Sequence, residues 1–262
     1  WNSNINVSTL KNKVLSLGGV PQIYGGGLPP SPIASAITTP GEPLMSFFGY
    51  IVDGIWQEGD DLTAVSNNVQ PGDFKFRDVN EDGIIDVEDR VILGNSFPEF
   101  QWGFTNDFTY KNFNLNVLFT GVEGVNMVNG NMIEQYYPIP GLRANRFRDA
   151  FLNRWTPGNP TNAQPSYLNL DQRTQSINSR TVADASYIKL QSVKLSYNFP
   201  SSFFKDTVKS ATIYVSGLNL LTISDYEGFD PALNPYGTSN FNVDWNGYPS
   251  ATTFLLGLNV GF

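Results

Sequence analysis

Apolar and polar side chains alternate with a period of two along several stretches of this 262-residue chain. In the clearest stretch, 98–110, aromatic residues fill every second position from Phe100 onward, with Asn106 as the exception. The alternation resumes at Phe113 after a very tight turn, and it returns in the last nine residues, 254–262. Because successive side chains of a strand point to opposite faces of a sheet, this period predicts strands with one apolar and one polar face.

Two further stretches keep the alternation but change phase once along their length. The apolar positions shift after Leu190 within 187–199 and near Gly217 within 211–221. A β-bulge inserts one residue and produces such a shift, and a strand that changes environment along its length gives the same pattern. Apolar residues also alternate with asparagines over 1–7. The pattern therefore predicts six strands.

The connections between these six strands are alternately long and short. Links of about 85, 60 and 28 residues alternate with turns of about 2 and 9 residues, as in outer-membrane barrels, which have long extracellular loops and short periplasmic turns. Soluble β-sandwiches show no such regularity. We therefore expect extracellular loops at 10–96, 125–183 and 223–250, a first strand that runs outward, and a periplasmic C-terminus.

Six strands are too few to close a membrane barrel. Single-chain barrels have at least about eight strands, and an open edge in lipid leaves backbone groups unsatisfied at several kcal/mol each. The pattern therefore predicts an all-β fold, an antiparallel transmembrane β-barrel segment of about six C-terminal strands from a larger barrel. The chain opens at Trp1 without an initiator methionine or a signal-peptide pattern, which favours an internal start.

Composition narrows the chemistry that the chain can perform. It contains no histidine and no cysteine, so it lacks the parts of a Ser-His-Asp or Cys-His relay and the soft ligands of a zinc site. A formal net charge of −8 without a basic cluster argues against a nucleic-acid partner. Charged residues make up only 15% and aromatic residues 14% of the chain, which is typical of a β-rich chain or a membrane barrel.

One acidic motif in the first long loop predicts a metal site. Residues 78–89 read DVNEDGIIDVED and fit the calcium-loop pattern D-x-N-x-D-G-x-I-D-x-x-D, with Gly83 at the sharp turn and Ile85 as an apolar anchor. The predicted ligands of a structural Ca²⁺, with Mg²⁺ as the alternative cation, are Asp78, Asn80, Asp82, the carbonyl of Ile84, Asp86 and Asp89. The competing interpretation is a loop rich in Asx turns without an ion, in which four close carboxylates repel one another.

The motif differs from a calcium sensor and from a catalytic centre. Asp89 stands where an EF-hand usually has Glu, and 71–76, which precedes the motif, is not an entering helix. The motif resembles dockerin-type loops, which favours a fixed cation over a switch. A pair of glycosidase carboxylates is a further interpretation, but this spacing aims all the oxygens at one point and leaves no gap for a sugar.

The second and third loops carry aromatic residues whose roles the sequence leaves open. A pattern typical of an amphipathic helix covers 142–155, with Phe147, Phe151 and Trp155 at four-residue spacing, and such a stripe usually packs. Other loop aromatics can pack or can stack on sugar rings or a protein partner. They are Tyr136, Tyr137, Tyr226, Trp245 and Tyr248. The glycine-rich stretch 25–32 is a loop and not a phosphate cradle, because no strand leads into it and no Lys-Ser/Thr follows.

A set of short segments spread over nearly the whole chain occurs in the order found in one known family. They are 41–50 (GEPLMSFFGY), 52–57 (VDGIWQ), 71–73 (PGD), 94–95 (GN), 97–98 (FP), 184–190 (DASYIKL), 197–200 (YNFP), 217–220 (GLNL), 226–231 (YEGFDP), 248–249 (YP) and Phe262. In these segments the chain resembles the C-terminal region of the SusC/RagA family of TonB-dependent outer-membrane transporters of Bacteroidota.

The resemblance implies a 22-stranded barrel with an N-terminal plug, covered by a SusD-like surface lipoprotein and energised by the TonB complex to import oligosaccharides or peptides. Residues 1–262 would supply wall, extracellular loops and the closing strand, in contact with outer-membrane lipid and with the remaining barrel and plug, and would not be an enzyme. The terminal Phe262 resembles the signal read by the outer-membrane assembly machinery. The family's cation loop falls on 78–89, and no substrate residue carries over. The alternative is a secreted, soluble calcium-binding β-sandwich adhesin or carbohydrate-binding module, with a hydrolase as the third hypothesis.

Overall fold

The computed structural model describes residues 1–26, 28, 33–62, 69–137, 145–167, 176–204, 208–233 and 242–262. Its strands are β1 (Asn2–Thr9), β2 (Ile23–Tyr24), β3 (Ala36–Thr38), β4 (Ser46–Gly49), β5 (Val52–Ile55), β6 (Phe74–Phe76), β7 (Val91–Gly94), β8 (Phe100–Tyr110), β9 (Phe113–Glu123), β10 (Asn126–Asn129), β11 (Val182–Asp184), β12 (Tyr187–Asn198), β13 (Ser210–Ile223), β14 (Val243–Asp244) and β15 (Thr253–Gly261). The six long strands β1, β8, β9, β12, β13 and β15 are the six that the period of two predicts.

These six strands form one sheet, the main sheet, in which each strand pairs with the next long strand along the chain. The order is β1-β8-β9-β12-β13-β15, and every pairing is antiparallel. The connections that link them are long at 10–99, 124–186 and 224–252 and short elsewhere. The predicted alternation of long and short connections is therefore confirmed, with bounds that differ by a few residues.

The register gathers the apolar side chains of all six strands on one face, the apolar face. Directly opposite residues of antiparallel strands share a face. One row across this face is Ile5, Phe104, Phe119, Leu190 and Leu221, and another is Phe108, Leu115, Leu195, Val215 and Leu256. The other side, the polar face, includes the row Asn2, Asp107, Asn116, Lys194 and Ser216. The strands are therefore two-faced, as predicted.

A bulge in β12 explains the first phase change. Gln191 is an extra residue between the pairs that Leu190 and Ser192 form with the consecutive residues Phe119 and Leu118 of β9. Because one residue is inserted, the apolar positions before and after Gln191 return to the same face. The chain can therefore keep a continuous apolar face despite the shift in its sequence pattern.

In β13 the irregularity is longer than the one-residue shift expected near Gly217. Two residues, 219 and 220, separate the pairs formed by Leu218 and Leu221. An even insertion preserves the phase, so Ile213 and Leu221 share the apolar face, while Leu218 lies opposite Ser192 on the polar face. A hydrogen bond of 3.1 Å from Gln191 Nε2 to Asn219 Oδ1 joins the two irregularities.

Asn106, the polar exception on the apolar face, is satisfied by its neighbours. Its Oδ1 accepts hydrogen bonds from Ser3 Oγ at 2.6 Å and from Trp1 Nε1 at 3.1 Å. The indole of Trp1 also stacks on Phe108, with ring centres 5.9 Å apart. The amide is therefore buried in spite of its position among apolar side chains.

The three long connections, called the first, second and third loops, fold into smaller sheets that together form the loop module. The first loop supplies the sheets β2-β3-β4-β7 and β5-β6. In the third small sheet, β10 pairs antiparallel with β11 and parallel with β14. Because β10 follows β9 and β11 precedes β12, this sheet extends the β9–β12 pair beyond the main sheet and ties the third loop to the second.

Helical structure is sparse. The described residues contain α1 (Gly130–Gln135), α2 (Arg148–Leu152) and 3₁₀ turns at Val87–Asp89 and Ser201–Phe204. The expected helix over 142–155 is therefore wrong in length, and 142–144 lie outside the described residues, as do 27 and 29–32 of the glycine-rich stretch. No helix in the described part of the chain is long and apolar enough to cross a membrane.

The missing turns of α2 have a local cause. The helix ends at Asn153, which caps it by donating its backbone N–H to the carbonyl of Asp149, and Pro157 and Gly158 follow in a turn. Trp155 lies beyond this end, where its backbone N–H donates to Gln164 and its Nε1 to Gln57 Oε1 at 2.9 Å. The aromatic stripe is therefore not one helical face, although Trp155 is buried as expected of packing.

Among the described residues, three clusters of buried apolar side chains form the core of the loop module. Their buried members lie outside the six long strands, although Val122 of β9 packs against the third cluster. The first consists of Tyr50, Ile55, Phe74, Phe76, Ile85, Tyr137 and Trp155. The second consists of Phe47, Val128, Ile133, Ile177 and Val243, and the third of Val125, Met127, Ala185 and Tyr226. Since each cluster joins residues that are distant in sequence, the three loops pack on one another.

Candidate functional site

The acidic motif 78–89 lies between β6 and β7, and its backbone has the shape that the sequence predicts. Gly83 has a φ of 82° and Glu81 a φ of 61°, so the chain turns sharply at this point. Ile85 is 5% exposed and belongs to the first cluster, where Phe74 and Phe76 of β6 also lie. The predicted turn and the predicted apolar anchor are both confirmed.

The first half of the motif is closed by hydrogen bonds from its own backbone. Asp78 accepts from the N–H of Gly83 at 2.7 Å and from that of Asp82 at 3.3 Å. Asp82 in turn accepts from the N–H of Ile84 at 2.8 Å, and Asn80 Oδ1 accepts from the N–H of Asp82 at 3.1 Å. These side chains therefore point into the turn.

Asp89 connects the two ends of the motif. This fully buried carboxylate accepts from the N–H of Val79 at 2.7 Å and from that of Asp86 at 2.8 Å. The side chain of Asp86 accepts from the N–H of Glu88 at 2.7 Å and caps the 3₁₀ turn Val87–Asp89. The loop is therefore held shut at its base by a carboxylate that water does not reach.

The donor chemistry of the motif suits a hard cation, because carboxylate, amide and carbonyl oxygens are the ligands that Ca²⁺ and Mg²⁺ prefer. The backbone hydrogen bonds leave lone pairs on these oxygens for further interactions. Within the described residues, which include all of 78–89, no three acidic side chains converge on one point that would hold a metal ion. The predicted ligands therefore lie in one loop but are not gathered around one point, and coordination of a cation by them stays a prediction.

Sequence reasoning missed two buried carboxylates in the third loop. Asp244 is fully buried, and its Oδ2 accepts from the hydroxyl of Tyr226 at 3.0 Å and from the N–H of Phe229 at 3.2 Å. Burial, together with the carboxylate of Asp244, raises the pKa of Tyr226, so this hydroxyl stays protonated and donates. Tyr226 and Phe229 belong to the 226–231 segment that supports the family resemblance, but the resemblance does not predict their hydrogen bonds to Asp244.

Asp230 is the second buried carboxylate. It accepts from the N–H of Ala232 at 2.9 Å and from that of Ser250 at 3.0 Å, and its Oδ2 lies 3.8 Å from Nζ of Lys189. Burial alone would raise the pKa of Asp230, but the hydrogen bonds from Ala232 and Ser250 and the charge of Lys189 outweigh it and lower the pKa. Asp230 is therefore a charged group inside the loop module.

The loop aromatics divide into packed and accessible residues. Tyr137 and Tyr226 are buried in the first and third clusters, and Trp245 packs against the second, so these three support the fold. Tyr248 is exposed. Tyr136 lies at the surface of the first cluster, where burial, followed by the carboxylates of Asp149 and Glu227, raises its pKa.

Tyr136 also lines a cavity of about 130 Å³ between the second and third loops. The other lining residues are Asn129, Asn131, Met132, Phe147, Glu227, Gly228 and Phe229. The aromatic rings, amides and carboxylate of this cavity are groups that can contact a small polar molecule.

No protein-family model matches the chain. Curated relatives do: the chain is 33% identical over its whole length to TonB-dependent receptor P3 and 34% identical to TonB-dependent receptor P26, both of Formosa agariphila. TonB-dependent receptor SusC of Bacteroides thetaiotaomicron is 28% identical over 74% of the chain. The chain spans only about a quarter of the two Formosa relatives, 27% of each.

Solved structures show the same fold. The RagAB peptide transporter matches 99% of the chain with a TM-score of 0.77 at 21% identity, and the chain covers 26% of that structure. The RagAB peptide importer in its open-open state matches with a TM-score of 0.75 at 22% identity. The fold resemblance and the sequence identity over the whole length agree with the motifs in the sequence. The chain is therefore homologous over its whole length to a segment of the TonB-dependent receptors, SusC among them, and its β-sheet fold is that of the matching part of RagAB.

Proposed function

We propose that this chain supplies wall, extracellular loops and the closing strand of a SusC-like transporter that imports oligosaccharide or peptide nutrients across the outer membrane. A SusD-like lipoprotein and the TonB complex would be its partners. The activity belongs to a longer protein, because the chain spans about a quarter of its curated relatives. The observation that carries the proposal is the exposed apolar face of the main sheet.

Large apolar residues on this face are exposed to a degree that water does not favour. Ile5 is 68% exposed and Leu256 77%, and they belong to the rows that cross all the central strands. Burial of apolar surface is worth about 25 cal/mol per Å², and extended apolar patches mark contact with a membrane or a protein. Contact with lipid would bury the whole apolar face at once, as in barrels that are apolar outside and polar inside.

The edges of the main sheet support the same proposal over the soluble alternative. Among the described residues no strand pairs with the outer edge of β1 or of β15. Both edges therefore offer backbone groups to further strands, which the longer relatives have room to supply. A soluble sandwich would instead need a second sheet over the apolar face.

Aromatic residues support the proposed sidedness. At the end of the main sheet with short turns, Phe113 contacts Tyr197, and Tyr197 contacts Phe199, with ring centres 4.8 and 5.1 Å apart. Phe203 continues this group at 5.7 Å from Phe199. Barrels have aromatic girdles at both membrane interfaces, so this group marks one of them, and the short turns beside it favour the periplasmic interface, with the loop module outside the cell.

Phe262 is proposed as the assembly signal of the closing strand. Its backbone oxygen accepts from Lys209 Nζ at 3.1 Å, and its side chain is exposed at the same short-turn end of the sheet. We expect Phe262→Ala to slow insertion of newly made protein into the outer membrane without changing the fold of the loops. Insertion kinetics equal to those of the wild type would contradict this role.

The motif at 78–89 is proposed to hold a structural Ca²⁺, with Mg²⁺ as the alternative. Support comes from the ligand pattern, the turn at Gly83 and the anchoring of Ile85, which fix the loop whether or not a cation is bound. A cation would offset the repulsion between carboxylates that lie close together.

Fractionation of cells that make the full-length protein tests the proposed function. We expect the protein in the outer-membrane fraction, released only by detergent, and we expect its deletion to abolish growth on one oligosaccharide or peptide source. Recovery of the protein in the soluble fraction without detergent would contradict the transporter and favour the soluble module.

A further inference from the structure

Lys189 is the starting point because it is buried on a face that is otherwise open. It lies on the polar face of β12, directly between Thr120 of β9 and Thr222 of β13. Lys189 is 5% exposed, whereas Lys194, on the same face of the same strand, is exposed. Something therefore covers the polar face at Lys189 but not at Lys194.

The covering group is the third loop. The carboxylate of Asp230 lies 3.8 Å from Nζ of Lys189, and both side chains are almost fully buried. Since Lys189 projects from the polar face, a carboxylate in contact with its ammonium group lies on that side of the sheet. The part of the third loop around Asp230 therefore lies over the polar face and not over the apolar face.

The same carboxylate organises the loop around it. It receives the backbone N–H groups of Ala232, two residues on, and of Ser250, near the end of the third loop. A second attachment, from Tyr226 to Asp244, joins the start of the loop to β14. Asp230 thus connects both arms of the third loop to one lysine of the wall.

We propose that residues 226–233 and 242–250 of the third loop form a strap across the mouth of the channel, and that the buried Lys189–Asp230 ion pair is the latch that holds this strap inward. The inference rests on the proposed function, because the polar face lines a channel only in a closed barrel. Removal of Lys189 leaves an unpaired buried carboxylate, which favours an opened loop in which Asp230 reaches water. The latch also fixes the wall of the loop cavity formed by Glu227 and Phe229.

Hydrogen exchange on the full-length protein in detergent or lipid tests the latch. Lys189→Met is expected to speed exchange of the Ala232 and Ser250 amides at least about tenfold. These amides exchange when the loop opens locally, and without the ion pair opening is more frequent. Lys194→Met is the matched control. Lys194 lies on the same face, but its Nζ lies over the ring of Tyr214, 4.5 Å from the ring centre, so its removal should leave exchange of both amides unchanged. Unchanged exchange in Lys189→Met would overturn the latch.

A conservative exchange keeps the test decisive if Lys189→Met fails to assemble. Lys189→Arg keeps a positive charge beside Asp230, which still accepts from the N–H of Ser250, so we expect exchange at Ser250 to stay within about threefold of the wild type, whereas Lys189→Gln should speed it. Assembly of both variants with equal exchange at Ser250 would overturn the proposal, because the charge of residue 189 would then not hold the loop.

The position of the strap is tested by labelling. The chain contains no cysteine, so Thr105→Cys places one thiol on the polar face of β8. A membrane-impermeant maleimide added outside the cells should label it several times faster when Lys189→Met is also present and no faster with Lys194→Met. Equal rates in all three proteins would overturn the strap, whereas absence of the wild type from the outer membrane would instead overturn the proposed function.

Discussion

Leu256 of β15 and Ile133 of α1 are both large aliphatic residues, yet 77% of the first is exposed and none of the second. The difference holds for their regions: the main sheet presents its apolar residues outward, and the loop module buries its own in three clusters. One chain therefore contains a region adapted to an apolar solvent and a region that folds as a water-soluble protein does. Substitutions in the main sheet and in the loop module should therefore each affect one region and leave the other unchanged.

Truncation inside the loop module should have the largest effect. Ile133→Ala removes a fully buried side chain from the second cluster and should destabilise the module by about 2–5 kcal/mol. Hydrogen exchange should increase across the second and third loops while the main sheet stays protected. Leu152→Ala, at an exposed helix position, is the control and should change neither region. A loss of protection spread equally over the main sheet would remove the distinction between the regions.

A charge on the apolar face should act on the other region alone. Leu195→Arg lies in the row with Leu115 and Val215. An arginine facing lipid costs about 2–4 kcal/mol at the bilayer midplane and less toward the interface, where Tyr197 lies, so a destabilisation below that range is expected. Unfolding by urea in lipid vesicles measures the change. Ser196→Arg, one residue away on the polar face, is the control and should assemble normally. Equal tolerance of both arginines would contradict a lipid-facing wall.

Calcium should stabilise the first loop without affecting the wall. At a free concentration of 100 times Kd, a cation that binds only the folded loop adds about 2.7 kcal/mol. A chelator should therefore speed exchange within 78–89, and added Ca²⁺ should restore protection in Glu88→Gln but not in Asp78→Ala. Asp78→Ala also removes two acceptors of backbone N–H groups, so the response to Ca²⁺ is the decisive reading. Exchange that is indifferent to Ca²⁺ in the wild type would contradict a cation site.

The smallest change is the removal of one hydroxyl. Tyr226→Phe deprives the buried Asp244 of a donor and should cost the loop module about 1–2 kcal/mol, whereas Tyr248→Phe should cost nothing. The pKa of Tyr226 is raised above its ordinary 10.0, so its contribution is complete below pH 10 and is lost as the pH rises further. The loss of stability at alkaline pH should therefore be smaller in Tyr226→Phe than in the wild type. An identical loss in both proteins would show that other groups cause it.

The sequence predicts the main sheet well because each long strand separates two solvents. Alternation such as that from Phe100 to Tyr110 follows directly from lipid on one face and water on the other. Even the bulge at Gln191 is visible as a change of phase, because the apolar face has to continue across it. The irregularity in β13 differs from the expected one-residue shift, because the apparent change of phase comes from Leu218 on the polar face and from the inserted residues 219 and 220, while Ile213 and Leu221 keep one phase.

The loop module is less predictable because its core is assembled from distant residues. Tyr50, Phe74, Tyr137 and Trp155 meet in one cluster, and no local period connects them. Its strands are two to four residues long, too short for a pattern. The motif at 78–89 is the exception, since its turn and anchor depend on local spacing. The pairing of Lys189 with Asp230 depends on the fold of the third loop, which the sequence pattern does not contain.

The apolar face of the main sheet is the central claim, and spin-label accessibility along β12 tests it most directly. Single nitroxides at Val193, Lys194, Leu195 and Ser196 of the full-length protein in lipid can be compared for collisions with oxygen, which concentrates in the bilayer, and with a water-soluble nickel complex. A lipid-facing wall predicts high oxygen accessibility at 193 and 195 and low oxygen accessibility at 194 and 196. Nickel accessibility at all four positions, without alternation, would contradict a wall in the outer membrane.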